Sequence, residues 1–289
     1  MFGEIKKRIS LNNLDLKSSF TGKYQISIEL SLDGFSYCLL DSERFQYLVL
    51  ESYSFKEVMS YEDLSRIAEF LVDISPIKRL PRQRISLIFK NNQSCMVASP
   101  LFIENEKASY FSFHHSLKEG HDIFADKLNN LSAYNVYSLP VVVVDKFKSL
   151  FEDIRIRHYS STLIENLCYY YKAGFFHQNV VLHVQDKHFE ILLFNGADLI
   201  LYNTFPYSTW EDLLYYVLYV LEQLEITPEK SDVLILGEIA MDSNSFQNIK
   251  SFMHSVDFGG RTDFFKYDHV FEEIPHHFYF NLLNVNACG

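Results

Sequence analysis

Cysteine is scarce in this chain: four in 289 residues, Cys38, Cys95, Cys168 and Cys288, each far from the next. They form neither a C-x-x-C pair nor a zinc spacing, which excludes a disulfide framework and a structural zinc finger. Cys38, Cys95 and Cys168 stand among apolar neighbours and read as buried thiols. Glycine is also sparse, ten residues in all, and neither a Walker loop nor a G-x-G-x-x-G turn occurs. A G-x-S-x-G elbow is missing, and Cys168 lies in an apolar helical run with no base beside it, so nothing here points to nucleophilic catalysis. Basic residues fall short of acidic ones, 26 against 37, for a formal net charge of -11 and a pI near 5.4. Nucleic acids and anionic membranes are bound through basic surface, so neither is an expected partner. Two positive stretches, Lys6-Lys7-Arg8 and the run from Lys78 and Arg79 to Arg82 and Arg84, read as solvated loops. No apolar leader follows the charged start, and no uninterrupted apolar run reaches about 18 residues, so a cytoplasmic protein without a membrane span is expected.

Eleven histidines invite a metal site, because imidazole is a common ligand. The adjacent pairs His114-His115 and His276-His277 argue against one, since neighbouring side chains face apart on a strand or a helix. No H-E-x-x-H spacing exists, and no metal is expected.

What the chain does have is apolar bulk, 48% hydrophobic and 16% aromatic, enough for a globular core in more than one domain. It also repeats itself. Tyr24-Gln-Ile-Ser-Ile-Glu-Leu, Ser36-Tyr-Cys-Leu-Leu, Phe45-Gln-Tyr-Leu-Val-Leu and Ser60-Tyr-Glu-Asp-Leu are echoed downstream. The echoes are Val180-Val-Leu-His-Val, Phe189-Glu-Ile-Leu-Leu, Leu199-Ile-Leu-Tyr-Asn and Thr209-Trp-Glu-Asp-Leu. In both copies a helix-length apolar pattern follows, then a proline (Pro76, Pro228) and a short apolar run (Ile85 to Phe89, Val233 to Gly237). Two similar halves predict two similar domains across a cleft, residues 1–159 and 160–289.

Each copy opens with three strands in hairpins, the turns marked by Asp33-Gly34, Asp41 to Arg44 and Asn195-Gly196. Ser60 and Thr209 are hydroxyl caps, and Asp63 and Asp212 answer the backbone amides three residues on. Ser94 to His115 and Asp122 to Leu139 are predicted to form additional strands and turns, an insertion over about 94–139. Pro140 opens a helix to about Glu152, Ile154 to His158 is a strand, and Ser160 to Lys172 a helix. In the second half, Ser243 to Val256 is predicted as a helix and Phe264 to Tyr267 as a strand. A β-β-β-α-β-α unit combines hairpins with a parallel crossover, which requires a mixed sheet and an α/β class. The run Leu213 to Leu224 is apolar or aromatic around nearly the whole helix. Leu213, Val217, Leu221 and Leu224 are predicted to face the sheet, leaving Tyr215, Tyr219 and Glu222 on a different, partly exposed face.

This tandem pattern resembles the actin-like ATPase superfamily, which includes sugar kinases, heat-shock ATPases and pilus-assembly scaffold proteins. More closely, the chain resembles a bacterial family, the domain of unknown function numbered 3822, through Asn135-Val-Tyr-Ser-Leu-Pro140, Asn203-Thr-Phe-Pro-Tyr-Ser-Thr-Trp-Glu-Asp-Leu-Leu-Tyr-Tyr216 and Leu234-Ile-Leu-Gly-Glu-Ile239. The resemblance implies a duplicated actin-like, ribonuclease H-like fold with an insertion in the first domain, and implies no activity. It also implies where a nucleotide would sit. Glu29 stands in place of the superfamily's metal-binding Asp, followed by Asp33 and Gly34 in the first turn. His183 stands at the matching position of the second copy, and Gly237-Glu238 where a pair of glycines would approach the adenosine. Glu29, Asp33, Gly34, His183, Gly237 and Glu238 are thus the candidate cofactor-binding residues. Their own chemistry is the strand and turn chemistry of a degenerate site: a carboxylate about 4 Å from a phosphate is repelled by roughly 4 kcal/mol at an effective dielectric near 20. A non-catalytic scaffold or partner-binding protein is expected, with no cofactor. The alternatives are an atypical ATPase or kinase holding ATP and Mg²⁺ through Glu29 and Asp33, and a small-molecule sensor binding in the cleft.

Overall fold

The computed structural model describes residues 5–12, 23–73, 83–239 and 244–286. Pro76, the Lys78 to Arg82 part of the second basic stretch, Ser243 and Cys288 lie outside the described residues. The chain divides into two compact units, Met1–Asn166 with Asp263–Phe271 and Asn281–Gly289, and Leu167–Thr262 with Glu272–Phe280.

In chain order, β1 (Ile5–Asn12), β2 (Tyr24–Leu30), β3 (Gly34–Asp41) and β4 (Gln46–Phe55) precede two short helices, α1 (Tyr61–Ser65) and α2 (Ile67–Asp73), and then β5 (Gln83–Phe89). The next stretch holds β6 (Ser94–Ala98), α3 (Lys107–Ser112), β7 (His121–Leu128), β8 (Ala133–Pro140), α4 (Val141–Leu150), β9 (Ile154–His158) and α5 (Tyr159–Lys172). The rest comprises β10 (Val180–Val184), β11 (His188–Asn195), β12 (Asp198–Pro206), α6 (Trp210–Gln223), β13 (Asp232–Gly237), α7 (Asn244–Phe252), β14 (Ser255–Phe258), β15 (Lys266–Tyr267) and α8 (Phe280–Asn284).

The first unit is built on a mixed sheet in the order β1-β4-β3-β2-β5-β9, with β15 also beside β4. Alternation along β2 sends Tyr24, Ile26, Ile28 and Leu30 to a core shared with Leu64 and Leu71 of α1 and α2 and with Val143 and Phe147 of α4. Each such fully buried aliphatic side chain contributes about 1.5–3 kcal/mol. The opposite face, bearing Gln25, Ser27 and Glu29, meets the returning C-terminal segment: Asn286 Nδ2 donates to Ser27 Oγ at 3.1 Å, and the Tyr47 hydroxyl donates to the Leu283 carbonyl at 2.6 Å.

The insertion is a small antiparallel sheet, β6-β8-β7, with α3 packed on it through the buried Phe111. It is joined to β9 and α5 by a buried polar network. His158 Nδ1 accepts from the Ser160 hydroxyl at 2.7 Å and from the Ser160 amide, while its Nε2–H donates to Asn91 Oδ1 at 3.0 Å. Asn135 Nδ2 reaches both Ser160 and Ser161, at 2.9 and 2.8 Å. Ser160 is fully buried, so this Ser–His–Asn chain acts as a structural link between the insertion, β9 and α5.

The second unit has the order β12-β11-β10-β13-β14, which reproduces β4-β3-β2-β5-β9 strand for strand. Pairing sense agrees throughout: the two hairpins are antiparallel, and β2 with β5, like β10 with β13, is parallel. The bulge recurs as well, between Leu39 and Leu40 of β3 and between Leu193 and Phe194 of β11. The duplication read from the sequence is therefore present at the level of single hydrogen bonds.

Several local expectations are revised. The first-copy helix is broken at Arg66 into α1 and α2, whereas α6 runs unbroken; only Thr209 and Asp212 make the full reciprocal cap, although Ser60 accepts from the Asp63 amide as expected. The helix expected to run to Val256 stops at Phe252, and Ser255–Phe258 instead forms β14 at the sheet's edge. Leu224, expected to face the sheet, is the C-cap of α6 and 38% exposed, while Val220 takes the buried position. Cys95 is only half-buried, unlike Cys38 and Cys168. Among the described residues no helix is long and apolar enough to cross a membrane.

Candidate functional site

In the first unit, Glu29 is the penultimate residue of β2, half-buried, with Ser36 and Ile88 as its cross-strand neighbours. The turn that follows is tight. The Ser31 amide donates to the Gly34 carbonyl at 2.9 Å, and the Ser31 hydroxyl donates to Asp33 Oδ1 and to the Gly34 carbonyl. The Asp33 carbonyl accepts from the Phe55 amide at 2.8 Å, which ties the turn to the end of β4. Gly34 is needed for packing, because a Cβ there would stand 2.4 Å from the Tyr53 carbonyl oxygen. The structure thus brings Glu29, Asp33 and Gly34 to one strand end, with the Ser31 amide and the Asp33 carbonyl already engaged within the protein.

The second unit repeats this turn with different side chains. The Gln185 amide donates to the His188 carbonyl at 2.9 Å, and the Lys187 carbonyl accepts from the Tyr207 amide at 3.2 Å. Past the fourth strand, the Glu238 amide donates to the Val184 carbonyl, as the Lys90 amide does to the Leu30 carbonyl. His188 fills the place of Gly34, and Asp186 and Lys187 those of Leu32 and Asp33.

His183 is not presented to a ligand. It is buried, with Nδ1 2.9 Å from Glu190 Oε2, and His188 Nε2 lies 3.1 Å from Glu190 Oε1. Burial opposes ionisation of Glu190, but the charge of His188 and the hydrogen bonds from His183 and His188 outweigh it and hold the carboxyl well below the ordinary carboxylate range. Glu190 and His188 were not singled out from the sequence. A signal was present, since His183 and Glu190 are equidistant from the Asp186-Lys187 turn and so must face each other in the hairpin.

Gly237 closes β13 with φ +89°, and a Cβ would meet the Val184 carbonyl oxygen at 2.1 Å. Its amide donates to the His277 carbonyl at 2.9 Å, and His277 Nε2–H donates to the Ile239 carbonyl at 2.7 Å. Burial lowers the pKa of His277, keeping it neutral for that bond. Glu238 is half-buried, and nearby Tyr207 has its hydroxyl pushed up to about 12 by burial, then by Asp186 and Glu238. The second turn therefore carries two carboxylates where a phosphate would need donors. Among the described residues no group of three or more His, Cys, Asp or Glu side chains could hold a metal ion.

Residues 13–256 match the family model described as Protein of unknown function (DUF3822). The chain belongs to this family. A protein of actin-like ATPase fold and unknown function from Bacteroides thetaiotaomicron is 21% identical, with a TM-score of 0.70 over 85% of this chain and 93% of that one. The PilM-PilN type IV pilus biogenesis complex is similar at 8% identity, with a TM-score of 0.62 over 90% of this chain and 96% of that one. No curated protein matches the chain. The DUF3822 chain thus has the actin-like ATPase fold, and its mixed sheets and duplicated topology are those of that fold.

On α6, Leu213, Val217, Val220 and Leu221 are buried, while Tyr215 and Tyr219 are 62% and 45% exposed. Their rings stack with centroids 6.2 Å apart. Many of the other aromatics belong to the core: Tyr37, Tyr47, Tyr137, Phe89 and Phe189 are among the largest fully buried side chains.

Proposed function

We propose that this DUF3822 protein is a non-catalytic actin-fold protein of the cytoplasm that acts by binding a protein partner. The observation that carries the reading is the pair of closed turns after β2 and β10. In each, a backbone amide is engaged by the turn itself, and the second turn adds Asp186 and Glu238 on the ground where a phosphate would need amides and positive charge. A fold of this size retained without phosphate loops is suited to presenting surfaces. The stacked Tyr215–Tyr219 pair on α6 is one such surface, of the aromatic kind enriched at interaction sites. A fold neighbour that forms part of a pilus biogenesis complex supports protein binding as a use of this architecture.

The test is affinity capture from the native cell with wild type and with the double variant Tyr215→Ala, Tyr219→Ala. A partner recovered with wild type and lost with the variant supports the reading; a variant that keeps every partner contradicts the role of α6. The second reading, an atypical ATPase holding Mg²⁺ through Glu29 and Asp33, is favoured by the survival of both carboxylates at the end of β2 and by nothing in the second unit.

A further inference from the structure

The face of the first sheet opposite its helices carries a pocket of about 270 Å³. Three arginines line it, Arg84 on β5 and Arg155 and Arg157 on β9, with Gln25, Ser86 and Asn286 as neutral hydrogen-bonding groups. Their convergence follows from the pleat. Arg84 and Ser86 alternate along β5, Arg155 and Arg157 along β9, and Ser86 stands directly beside Arg155 in the parallel pairing.

The guanidinium groups are poorly satisfied. Arg84 Nε lies 3.6 Å from Asp153, the only carboxylate in the lining, and Arg157 lies 3.7 Å from Asp126 and 3.9 Å from Glu165. All three separations exceed the 2.7–2.9 Å of a charge-assisted hydrogen bond, so the planar N–H forks are left with donors to spare. Arg155 has no carboxylate within ion-pair distance among the described residues. Partial burial of its guanidinium and then the charge of Arg157 pull its pKa below the ordinary value, a penalty that a bound anion offsets. Asp126 and Glu165 stand outside the lining, so the open side of the pocket is positive in a chain of formal charge -11.

We propose that this pocket is a binding site for a phosphate group, free or carried on a small metabolite. A tetrahedral oxyanion offers enough acceptors for two or three guanidinium forks together with the Ser86 hydroxyl and the Asn286 amide, and arginine recognises phosphate through paired N–H donors. The volume lies just under the roughly 300–1,000 Å³ of drug-sized ligand pockets, room for a phosphate carried on a small organic group. The site lies wholly in the first unit and is independent of the protein-binding reading above.

Calorimetric titration of the full chain with inorganic phosphate, at ionic strength held constant with sodium chloride, tests the proposal. Binding by wild type is expected, weakened at least tenfold, about 1.4 kcal/mol, in Arg155→Gln. Arg155 is exposed, so the variant should melt at the wild-type temperature without phosphate; Arg84→Gln provides a second exposed substitution with the same expected loss. Glycerol phosphate in the same assay separates the two sources: tighter binding than inorganic phosphate assigns the pocket to an esterified group, and weaker binding to the free anion, each supporting the proposal. Succinate bound as tightly as phosphate overturns the phosphate assignment. No phosphate binding by wild type, or binding that both Arg155→Gln and Arg84→Gln leave unchanged, overturns the site itself.

Discussion

Ser27, Ser86 and Arg155 form a row across β2, β5 and β9 of the first sheet, and the corresponding row across β10, β13 and β14 of the second is Val181, Leu234 and Asp257. At the next position toward the turn, Glu29 faces Ser36 in one copy, while His183 faces Glu190 in the other. Strand order, pairing sense, bulge and turn hydrogen bonds are the same, yet the first copy is polar and basic on this face and the second apolar and acidic. The shared parts are those dictated by backbone geometry and by the apolar face that each sheet must bury. Side chains on the opposite face are fixed by neither demand, and there the copies have parted.

The largest effect that can break this comparison is expected at Gly237, whose counterpart in the first copy is Phe89. With φ +89° and a Cβ 2.1 Å from backbone, Gly237→Ala should cost about 3 kcal/mol in urea unfolding. A loss below about 1 kcal/mol would show that β13 can end differently.

Comparable in size is Glu190→Gln, which leaves the buried His183 and the half-buried His188 without their carboxylate and should cost about 3 kcal/mol. The equivalent Ser36→Ala, removing one hydroxyl bonded to Ser52, should cost about 1 kcal/mol. The folded pKa of Glu190 is depressed, so its stabilisation is fully present above the unfolded value near 4.3 and is lost as pH falls below it. Melting temperature followed from pH 7 downward should therefore fall less steeply in Glu190→Gln than in wild type below about pH 4. Parallel curves would remove the ion pair from the account.

The polar link of the insertion exists only in the first unit. Ser160→Ala removes hydroxyl contacts to His158 and Asn135, and a loss of about 1–3 kcal/mol is expected. The smallest effect on stability, within about 0.5 kcal/mol per residue, is expected for the exposed Tyr215→Ala and Tyr219→Ala, the pair whose loss should matter to a partner.

These differences also mark what could be read in advance. Alternating apolar residues in β2, the short apolar run of β10, the caps at Ser60 and Thr209 and the turns at Asp33-Gly34 and Asn195-Gly196 are local signals, and the duplicated sheet followed from them. Helix α3 and strand β14 were missed because six and four residues are too few for a period to show. The arginine pocket was out of reach for another reason: Arg84 and Arg155 are far apart in the chain, and only the parallel pairing of β5 with β9 makes them neighbours. Of the six candidate residues, Gly34 and Gly237 are explained by close backbone approach and His183 by its carboxylate partner, whereas Glu29, Asp33 and Glu238 keep side chains at strand ends.

The central claim, that both turns have lost the capacity to hold a nucleotide, is tested most directly by the melting temperature of the full chain with and without millimolar ATP and Mg²⁺. A ligand that binds only the folded state stabilises it by about 2.7 kcal/mol at a hundredfold excess over its dissociation constant. An unchanged melting temperature is predicted; a rise of several degrees that disappears in Glu29→Ala would contradict the account and restore Glu29 as a metal ligand.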